Sequence, residues 1–493
     1  MADWIPLTLG QVGFTALGVF MGIIIGVLPG LGPLLGMVLL IPFAMYMEPI
    51  SGLSLLLGVF VGGTFGGAVT AILLRIPGTP IAAATLLDGY PMAEQGKARE
   101  ALGFAVSASA IGGFIGGLYL VIGAPILAQF ALKFAPPEYF ALAFAGIVCI
   151  AIVSRGSTIK GLIVGCLGLL IATIGIDPFA FFYRFNLETQ WLIGGIGIVP
   201  LVLGLFAVSE MLAQISAGDL NKSAGVKGMF LSPSSILNTL KRGANVFRSS
   251  TIGTFIGALP GAGSVIAAFV SYAAAKSVSR DPGSFGKGNP DGVIATEASN
   301  NACCGGTLIP SLALALPGDP CTAVLLAAIL LLGFIPGPQL FTNSPEVITG
   351  IFSSYIVANV FLLVFGFLLI PIFVWFVNIR KVFLIPAILV LCVVGSFGVT
   401  NSTQDLWFMP IFALLALLLV KFDYPLAPLT IAPVLGPILE ENFRRSLIMS
   451  AGDTSIFFTR PICTTILAVA AIALVISLLP ENALKHFAQK GTN

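Results

Sequence analysis

The chain has 493 residues, of which 57% are apolar and only 9% charged, with a formal net charge of +2. Ordinary soluble domains carry about 25% charged residues, so this composition excludes a soluble enzyme or binding module, and the thin scatter of basic residues excludes nucleic acid as a partner. Apolar runs of about 20 residues cross a hydrocarbon core of ~30 Å, and such runs at 9–28, 103–129, 191–211, 347–377 and 463–479 point to an all-α polytopic membrane protein of roughly ten to twelve transmembrane helices, some of them broken or re-entrant.

The N-terminus opens with Asp3 and Trp4 rather than a basic region, and the first apolar run is long enough to span, so no cleavable signal peptide is expected. That run ends in Gly26-Val27-Leu28-Pro29-Gly30-Leu31-Gly32-Pro33, a proline-glycine break in a membrane-grade stretch. A glycine pair, Gly66-Gly67, follows and leads to Ile76-Pro77-Gly78-Thr79-Pro80. The polar segment after it, with Asp88, Glu94, Lys97, Arg99 and Glu100, reads as a solvated loop. Gly112-Gly113 and Gly116-Gly117 then place small residues four apart on one helix face, the pattern of closely packed membrane helices.

The densest polar stretch lies at 216–248 and is the natural cytoplasmic linker between a first half, 1–215, and a second half with C-terminal helices, 249–493. Both motifs recur beyond it. Gly257-Ala258-Leu259-Pro260-Gly261-Ala262-Gly263-Ser264 lies 231 residues after the first break, and Gly305-Gly306 leads to Leu316-Pro317-Gly318-Asp319-Pro320, 240 residues after its counterpart. Matched broken segments in two halves are the sequence mark of a secondary transporter's binding site, and by analogy the repeats are expected to be inverted. The basic residues gather at Lys97 with Arg99, Arg155 with Lys160, 222–248, Arg380 with Lys381 and Arg444 with Arg445, connections that the charge rule places in the cytoplasm.

Breaking a helix in lipid exposes amides and carbonyls that cost several kcal/mol each unless protein, water or solute satisfies them. Half-helix N-termini suit carboxylates, and unwound carbonyls suit Na⁺. The candidate substrate and ion positions are therefore the breaks and the few polar groups near them: Pro29, Gly30, Gly66, Gly67, Thr70, Arg75, Pro77, Gly78 and Thr79 in the first copy. In the second they are Pro260, Gly261, Asn300, Asn301, Gly305, Gly306, Pro317, Gly318 and Asp319; further polar neighbours are Thr64 and Asp88 in the first copy and Glu297, Ser299, Thr307, Ser311 and Thr322 in the second. Asp319 is the sharpest, since a carboxylate at membrane depth usually marks an ion path; its alternative is a surface cap of the helix starting at Pro320. Arg75 either pairs a substrate carboxylate, or snorkels from a helix end or neutralises a buried acid. Asp319, Asn300 and Asn301 are the candidate Na⁺ ligands.

The seven cysteines lack the spacing of a zinc site or disulfide framework; Cys149, Cys166 and Cys392 read as small core residues and Cys303-Cys304 as packing residues. The single histidine, His486, lies in the polar tail. With no intramembrane histidine, no paired-carboxylate helix and no nucleophile beside a base, enzymatic chemistry is not expected, and no cofactor beyond a coupling ion is called for.

Taken together, Gly66-Gly67 through Ile76-Pro77-Gly78, the run Leu87-Asp88-Gly89-Tyr90-Pro91-Met92-Ala93-Glu94-Gln95-Gly96-Lys97-Ala98, Gly253 to Gly263, Glu297-Ala298-Ser299-Asn300-Asn301-Ala302, Ile309-Pro310 and Leu316-Pro317-Gly318-Asp319-Pro320 resemble the two signatures of the large membrane subunit of tripartite tricarboxylate transporters. The resemblance implies two partners, a small four-helix membrane subunit and a periplasmic solute-binding protein that delivers an organic carboxylate, and it implies a bacterial inner-membrane location and coupling to a cation, usually Na⁺, rather than to ATP. No P-loop motif is present. The chain departs from the family's pattern at Ala68-Val69-Thr70 and at Arg75, which leaves an organic carboxylate as the substrate class without specifying citrate. Energetics favour coupling independently: a dianion entering an inside-negative cell works against about 4.6 kcal/mol per 100 mV. A self-sufficient symporter is the nearest alternative; an intramembrane enzyme or a channel built of repeated filter carbonyls fits the duplicated single chain less well.

Overall fold

The computed structural model describes residues 7–28, 31–75, 79–153, 158–177, 182–185, 189–216, 231–259, 263–377, 380–400 and 402–478. The breaks at Pro29-Gly30, Pro77-Gly78 and Pro260-Gly261, and His486, lie outside them. The chain is helical almost throughout. In order the helices are α1 (Leu9–Val27), α2 (Gly32–Met45), α3 (Pro49–Leu74), α4 (Leu86–Met92), α5 (Ala98–Ala131), α6 (Pro136–Val153), α7 (Thr158–Ala172), α8 (Ile198–Val202), α9 (Ser209–Ser216), α10 (Ser234–Leu240) and α11 (Gly243–Gly257). They continue as α12 (Gly263–Ser277), α13 (Pro290–Leu314), α14 (Pro320–Leu331), α15 (Pro338–Asn343), α16 (Pro345–Leu368), α17 (Ile370–Val377), α18 (Lys381–Thr400), α19 (Thr403–Lys421), α20 (Ala427–Met449), α21 (Ile456–Thr459) and α22 (Pro461–Leu478). Among the described residues the only strands are a two-residue antiparallel pair in which Gly175 faces Arg184 and Ile176 faces Tyr183.

Among the described residues six helical stretches are long and apolar enough to cross a membrane, and six shorter apolar helices accompany them. Two expected spans are drawn differently. The run at 191–211 becomes a membrane-grade helix only from Ile198, because Gly194-Gly195, the latter at φ 75°, hold the chain out of helix before it. The run at 347–377 is interrupted at Leu369, where α16 ends and α17 begins. Residues 217–230 of the expected linker lie outside the description, and its last part is already α10 and the start of α11.

The chain divides into two compact units, one made of residues 1–131 and 199–417, the other of 132–198 and 418–493. Each half expected from the motif duplication contributes to both. In the smaller unit, Glu138 caps the Ala135 amide with one carboxylate oxygen and takes Arg460 Nε at 2.6 Å with the other. Arg444 reaches both oxygens of the buried Asp177 at 2.9 and 3.0 Å, and Arg184 joins Glu440. The Arg444 side of the expected basic cluster is thus an internal ion-pair partner. Cys166 is exposed rather than buried, because it lies on the outward face of α7, away from the buried stripe of Gly161, Val164, Gly165 and Gly168.

The larger unit carries the repeat. A Cβ at Gly22 would lie 2.6 Å from the Val59 carbonyl oxygen, and one at Gly253 would collide with the carbonyl of Ser299; Gly26 meets Gly63 as Gly257 meets Cys303, and Gly66 meets the Ile23 carbonyl as Gly306 meets that of Thr254. In every pair the α1 residue is displaced by 231 residues and the α3 residue by 240. The two offsets of the sequence motifs are therefore also the offsets of the backbone contacts: α1 packs on α3 as α11 packs on α13. Both long helices end alike, at Arg75 and Ala315, each in the left-handed conformation with φ 58° and 56°.

The direction of the repeats follows from register. Gly113 faces Asn359, Gly117 faces Tyr355 and Gly366 faces Val106, so residue numbers rise along α5 as they fall along α16. α5 runs parallel to α13, with Gly112 on Ala298 and Gly116 on Ala302, while α3 runs parallel to α16, with Ile50 at Gly350 and Ser54 hydrogen-bonded to Ser354 at 2.7 Å. α3 and α13 are consequently antiparallel, and the equivalent helices of the two halves are inverted. Glycine at the crossings lets backbones touch, which is how helices associate where lipid removes the hydrophobic incentive.

Candidate functional site

α3 and α13 start from similar chemistry, a proline at the first helical position preceded by a polar cap: the Glu48 carboxylate takes the amides of Ile50 and Ser51 at 3.1 and 3.0 Å, and Asn289 Oδ1 takes that of Asp291 at 2.8 Å. Proline fits there because its missing N–H would be unpaired anyway. The helices meet where Asn300 Nδ2 donates to the Thr64 carbonyl and Asn301 Nδ2 to that of Val61, each at 3.4 Å, and where Cys304 Sγ approaches Thr64 Oγ1.

At this crossing the repeat is chemically unequal. The positions equivalent to Asn300, Asn301 and Glu297 are Phe60, Val61 and Leu57. Apart from Thr64, the polar side chains stand on α13, facing carbonyl oxygens of a largely apolar α3. Asn300 Oδ1, Asn301 Oδ1 and Ser299 Oγ are buried with no hydrogen-bond partner among the described residues, as is Thr79 Oγ1. Thr79 sits against Gly67, one helical turn from Thr64. A buried polar atom left unpaired costs about 1–3 kcal/mol; the Asn300 and Asn301 oxygens belong to the crossing of α3 and α13, whereas the Ser299 backbone lies against Gly253 of α11.

The second turn packs in the equivalent way, with Gly318 against Thr307 and the Gly318 amide 3.4 Å from Ser311 Oγ. Asp319 occupies the place of Thr79. It is 7% exposed and caps α14: its Oδ1 accepts the Thr322 amide at 2.7 Å and hydroxyl at 2.8 Å, while Thr322 Oγ1 accepts the Asp319 amide at 3.0 Å. Pro317 and Gly318 are buried beside it. Asp319 is thus a helix cap, in the interior rather than at the surface.

Other expected positions are placed as follows. Gly66, Gly305 and Gly306 lie in helix contacts, against Gly26, Gly116 and Thr254. Thr70 Oγ1 donates to the Gly67 carbonyl of its own helix at 3.2 Å. Arg75 is exposed, with its guanidinium carbon 5.4 Å from the centroid of the Tyr90 ring.

Two acidic residues stand out beyond those positions. Asp88 is not solvated: it is 1% exposed, its Oδ1 accepts the amides of Gly286, Gly288 and Asn289 at 2.8–2.9 Å, and its Oδ2 accepts the Tyr272 hydroxyl at 2.9 Å. It ties the hairpin of the first repeat to the loop that opens α13. Glu297, fully buried, accepts the Thr85 and Ser109 hydroxyls, the latter at 2.9 Å, with the Asn300 side chain in hydrogen-bonding reach. Apart from Asp291 in its first turn, Glu297 is the one carboxylate of the 25-residue α13, and its place in the helix interior is the signal that singles it out in the sequence.

The sequence profile of the tripartite tricarboxylate transporter TctA family matches residues 12–431. An uncharacterized 52.8 kDa protein from the TAR-I ttuC' 3' region of Agrobacterium vitis is 36% identical over 475 residues, 96% of this chain and 94% of that protein. An uncharacterized protein from the TAR-II ttuC' 3' region of the same organism is 35% identical over 229 residues, 46% of this chain and 95% of that protein. The chain belongs to the tripartite tricarboxylate transporter TctA family and is a multi-pass membrane protein.

Proposed function

We propose that this chain is the permease subunit of a bacterial inner-membrane importer of organic carboxylates, driven by a Na⁺ gradient and supplied by a periplasmic solute-binding protein, with a small four-helix membrane subunit as its third component. The observation that carries the reading is the cluster of buried, unpaired oxygens at the crossing of two inverted, broken repeats, the arrangement in which secondary transporters hold solute and coupling ion. Arg75 and Thr79 at the first turn suit a carboxylate, whereas Asn300 and Asn301 of α13 offer oxygens to a cation. The division into halves at 1–215 and 249–493, joined by a cytoplasmic linker, belongs to the same proposal. So does the absence of an enzymatic role.

The test is uptake by proteoliposomes containing the membrane subunits, with an imposed Na⁺ gradient and with or without the binding protein. Uptake should require both. Equal rates without the binding protein would establish the self-sufficient symporter instead.

A further inference from the structure

Resting on the cation-coupled reading, we propose that the charge of the coupling ion is taken by Glu297 and not by Asp319, in a site completed by Thr85, Thr296, Ser109 and the side-chain oxygen of Asn300. Asp319 is employed structurally, since the amide and hydroxyl of Thr322 occupy its Oδ1 and the Cys321 amide is also within its reach. Glu297 has no such employment. It caps no helix, its recorded donors are side chains, and no cationic group neutralises it among the described residues.

Among the described residues the neighbouring elements supply Glu297 with no ion pair: on α11 Arg248 donates to Asn245 Oδ1 at 2.7 Å, and on α12 Lys276 is exposed. α3 carries no charged residue. α5 carries only Arg99 and Glu100, both exposed at its start. Asp88 on α4 is held by backbone amides, and Asp291, the other acid of α13, pairs with Arg242 at 3.3 Å. A carboxylate sealed from water without a counter-charge is unfavourable, and a bound cation supplies one.

The donor set fits a hard monovalent ion. Thr85, Thr296, Ser109 and Asn300 are each at most 1% exposed, and Thr85 Oγ1 lies 3.0 Å from Thr296 Oγ1. With the two carboxylate oxygens and Asn300 Oδ1, which has no partner among the described residues and reaches the ion once the amide that now faces Glu297 with its Nδ2 turns over, these side chains offer two carboxylate, three hydroxyl and one amide oxygen. Hard cations favour such all-oxygen shells of about six ligands. One negative charge balances one Na⁺, while a divalent ion would leave a net charge at membrane depth. The Thr85 and Ser109 hydroxyls now donate to Glu297, and Thr296 Oγ1 donates to the Gly292 and Val293 carbonyls; an entering ion would use the hydroxyl lone pairs and turn the Thr85 and Ser109 protons outward.

The location gives the site a coupling role. Thr85 lies six residues beyond Thr79, immediately before α4, whereas Glu297 belongs to the second repeat. An ion bridging them would fix the segment 79–85, and with it Thr79, relative to α13. Thr85 and Ser109 are positioning ligands for that step.

The test uses the purified full-length chain in detergent, with thermal unfolding followed as choline chloride is replaced by NaCl at constant ionic strength. A ligand that binds only the folded state raises the unfolding temperature with its concentration. The wild type should show a saturable Na⁺-dependent rise. Glu297→Gln should abolish it or increase the half-saturating Na⁺ concentration at least tenfold, Ser109→Ala should increase it about threefold or more, and Asp319→Ser, which retains a capping side chain, should leave it within twofold. A wild-type chain without a Na⁺ response, a Ser109→Ala midpoint unchanged, or a response lost in Asp319→Ser but kept in Glu297→Gln would each overturn the assignment. Ser109→Ala keeps the test decisive should Glu297→Gln fail to fold. No carboxylate is present in the measurement, so a wrong substrate class leaves its outcome untouched, and Na⁺-independent uptake alongside an intact Na⁺ response would count against the proposed coupling alone.

Discussion

Arg75 and Ala315 stand 240 residues apart and end α3 and α13 in the same left-handed backbone conformation, at φ 58° and 56°. Neither is glycine, the residue that adopts this conformation without strain, which costs an L-residue about 1–2 kcal/mol. Ala315→Gly is therefore expected to stabilise the chain by about 1 kcal/mol, seen as a higher unfolding temperature in detergent. At Arg75 the same change also removes the guanidinium over Tyr90, a contact worth about 0.5–1 kcal/mol at exposed sites, so Arg75→Gly should gain less. A loss of stability in Ala315→Gly would show that the alanine methyl, not the backbone, decides that turn.

Matched glycines should respond alike. Gly22 and Gly253 each bring a helix backbone against a carbonyl of its partner, at Val59 and Ser299, where no flexible side chain can yield. Alanine at either position should cost about 1–3 kcal/mol or more through forced helix separation and reduce the folded yield. Gly123→Ala is the control: its Cβ would meet only Ile309 Cδ1, at 3.4 Å, and the yield should stay near wild type. Tolerance at Gly22 with intolerance at Gly253 would mean that the two contacts are not equivalent.

Asp88→Asn should loosen the loop that opens α13. Hydrogen bonds to a charged partner contribute about 1.5–3 kcal/mol, and Asp88 accepts three backbone amides and the Tyr272 hydroxyl. Limited proteolysis should then cut within 281–289 faster than in the wild type, while Tyr272→Phe, which removes one hydrogen bond of the four, should have a smaller effect. Equal cleavage rates in Asp88→Asn and the wild type would show that the loop is held by its own turns.

In the smaller unit, Arg444→Lys should cost stability although charge is preserved, because an ammonium cannot reproduce the paired contacts of a guanidinium with both Asp177 oxygens and with Glu440. Leaving Asp177 imperfectly paired in a buried position is expected to cost about 1–3 kcal/mol. Thermal unfolding in detergent measures it, and an unchanged unfolding temperature would place the stabilisation elsewhere.

The architecture was legible where the backbone itself constrains residue choice. Proline-glycine breaks and small residues four apart can be read without knowing their partners, and the offsets of 231 and 240 residues proved to be those of the helix contacts. The direction of the repeats was not legible, because it depends on which helices run side by side, as Gly113 with Asn359. Asp88 was misread for a similar reason: the amides that bury it come from about 200 residues further along. At the site, Asn300, Asn301 and Thr79 were recognisable as sparse polar groups near breaks. The difference between Asp319 and Glu297 needed the structure, since Thr322 is what occupies one and its absence is what leaves the other to Thr85 and Ser109.

The most direct test of the account is Na⁺-driven uptake in proteoliposomes holding the complete transporter, loaded binding protein outside and the membrane potential clamped. Uptake of the carboxylate retained by the binding protein should rise saturably with external Na⁺, stop when the Na⁺ gradient is dissipated, and proceed without ATP. Uptake at the same rate in choline as in Na⁺, or uptake that requires ATP hydrolysis, would contradict it.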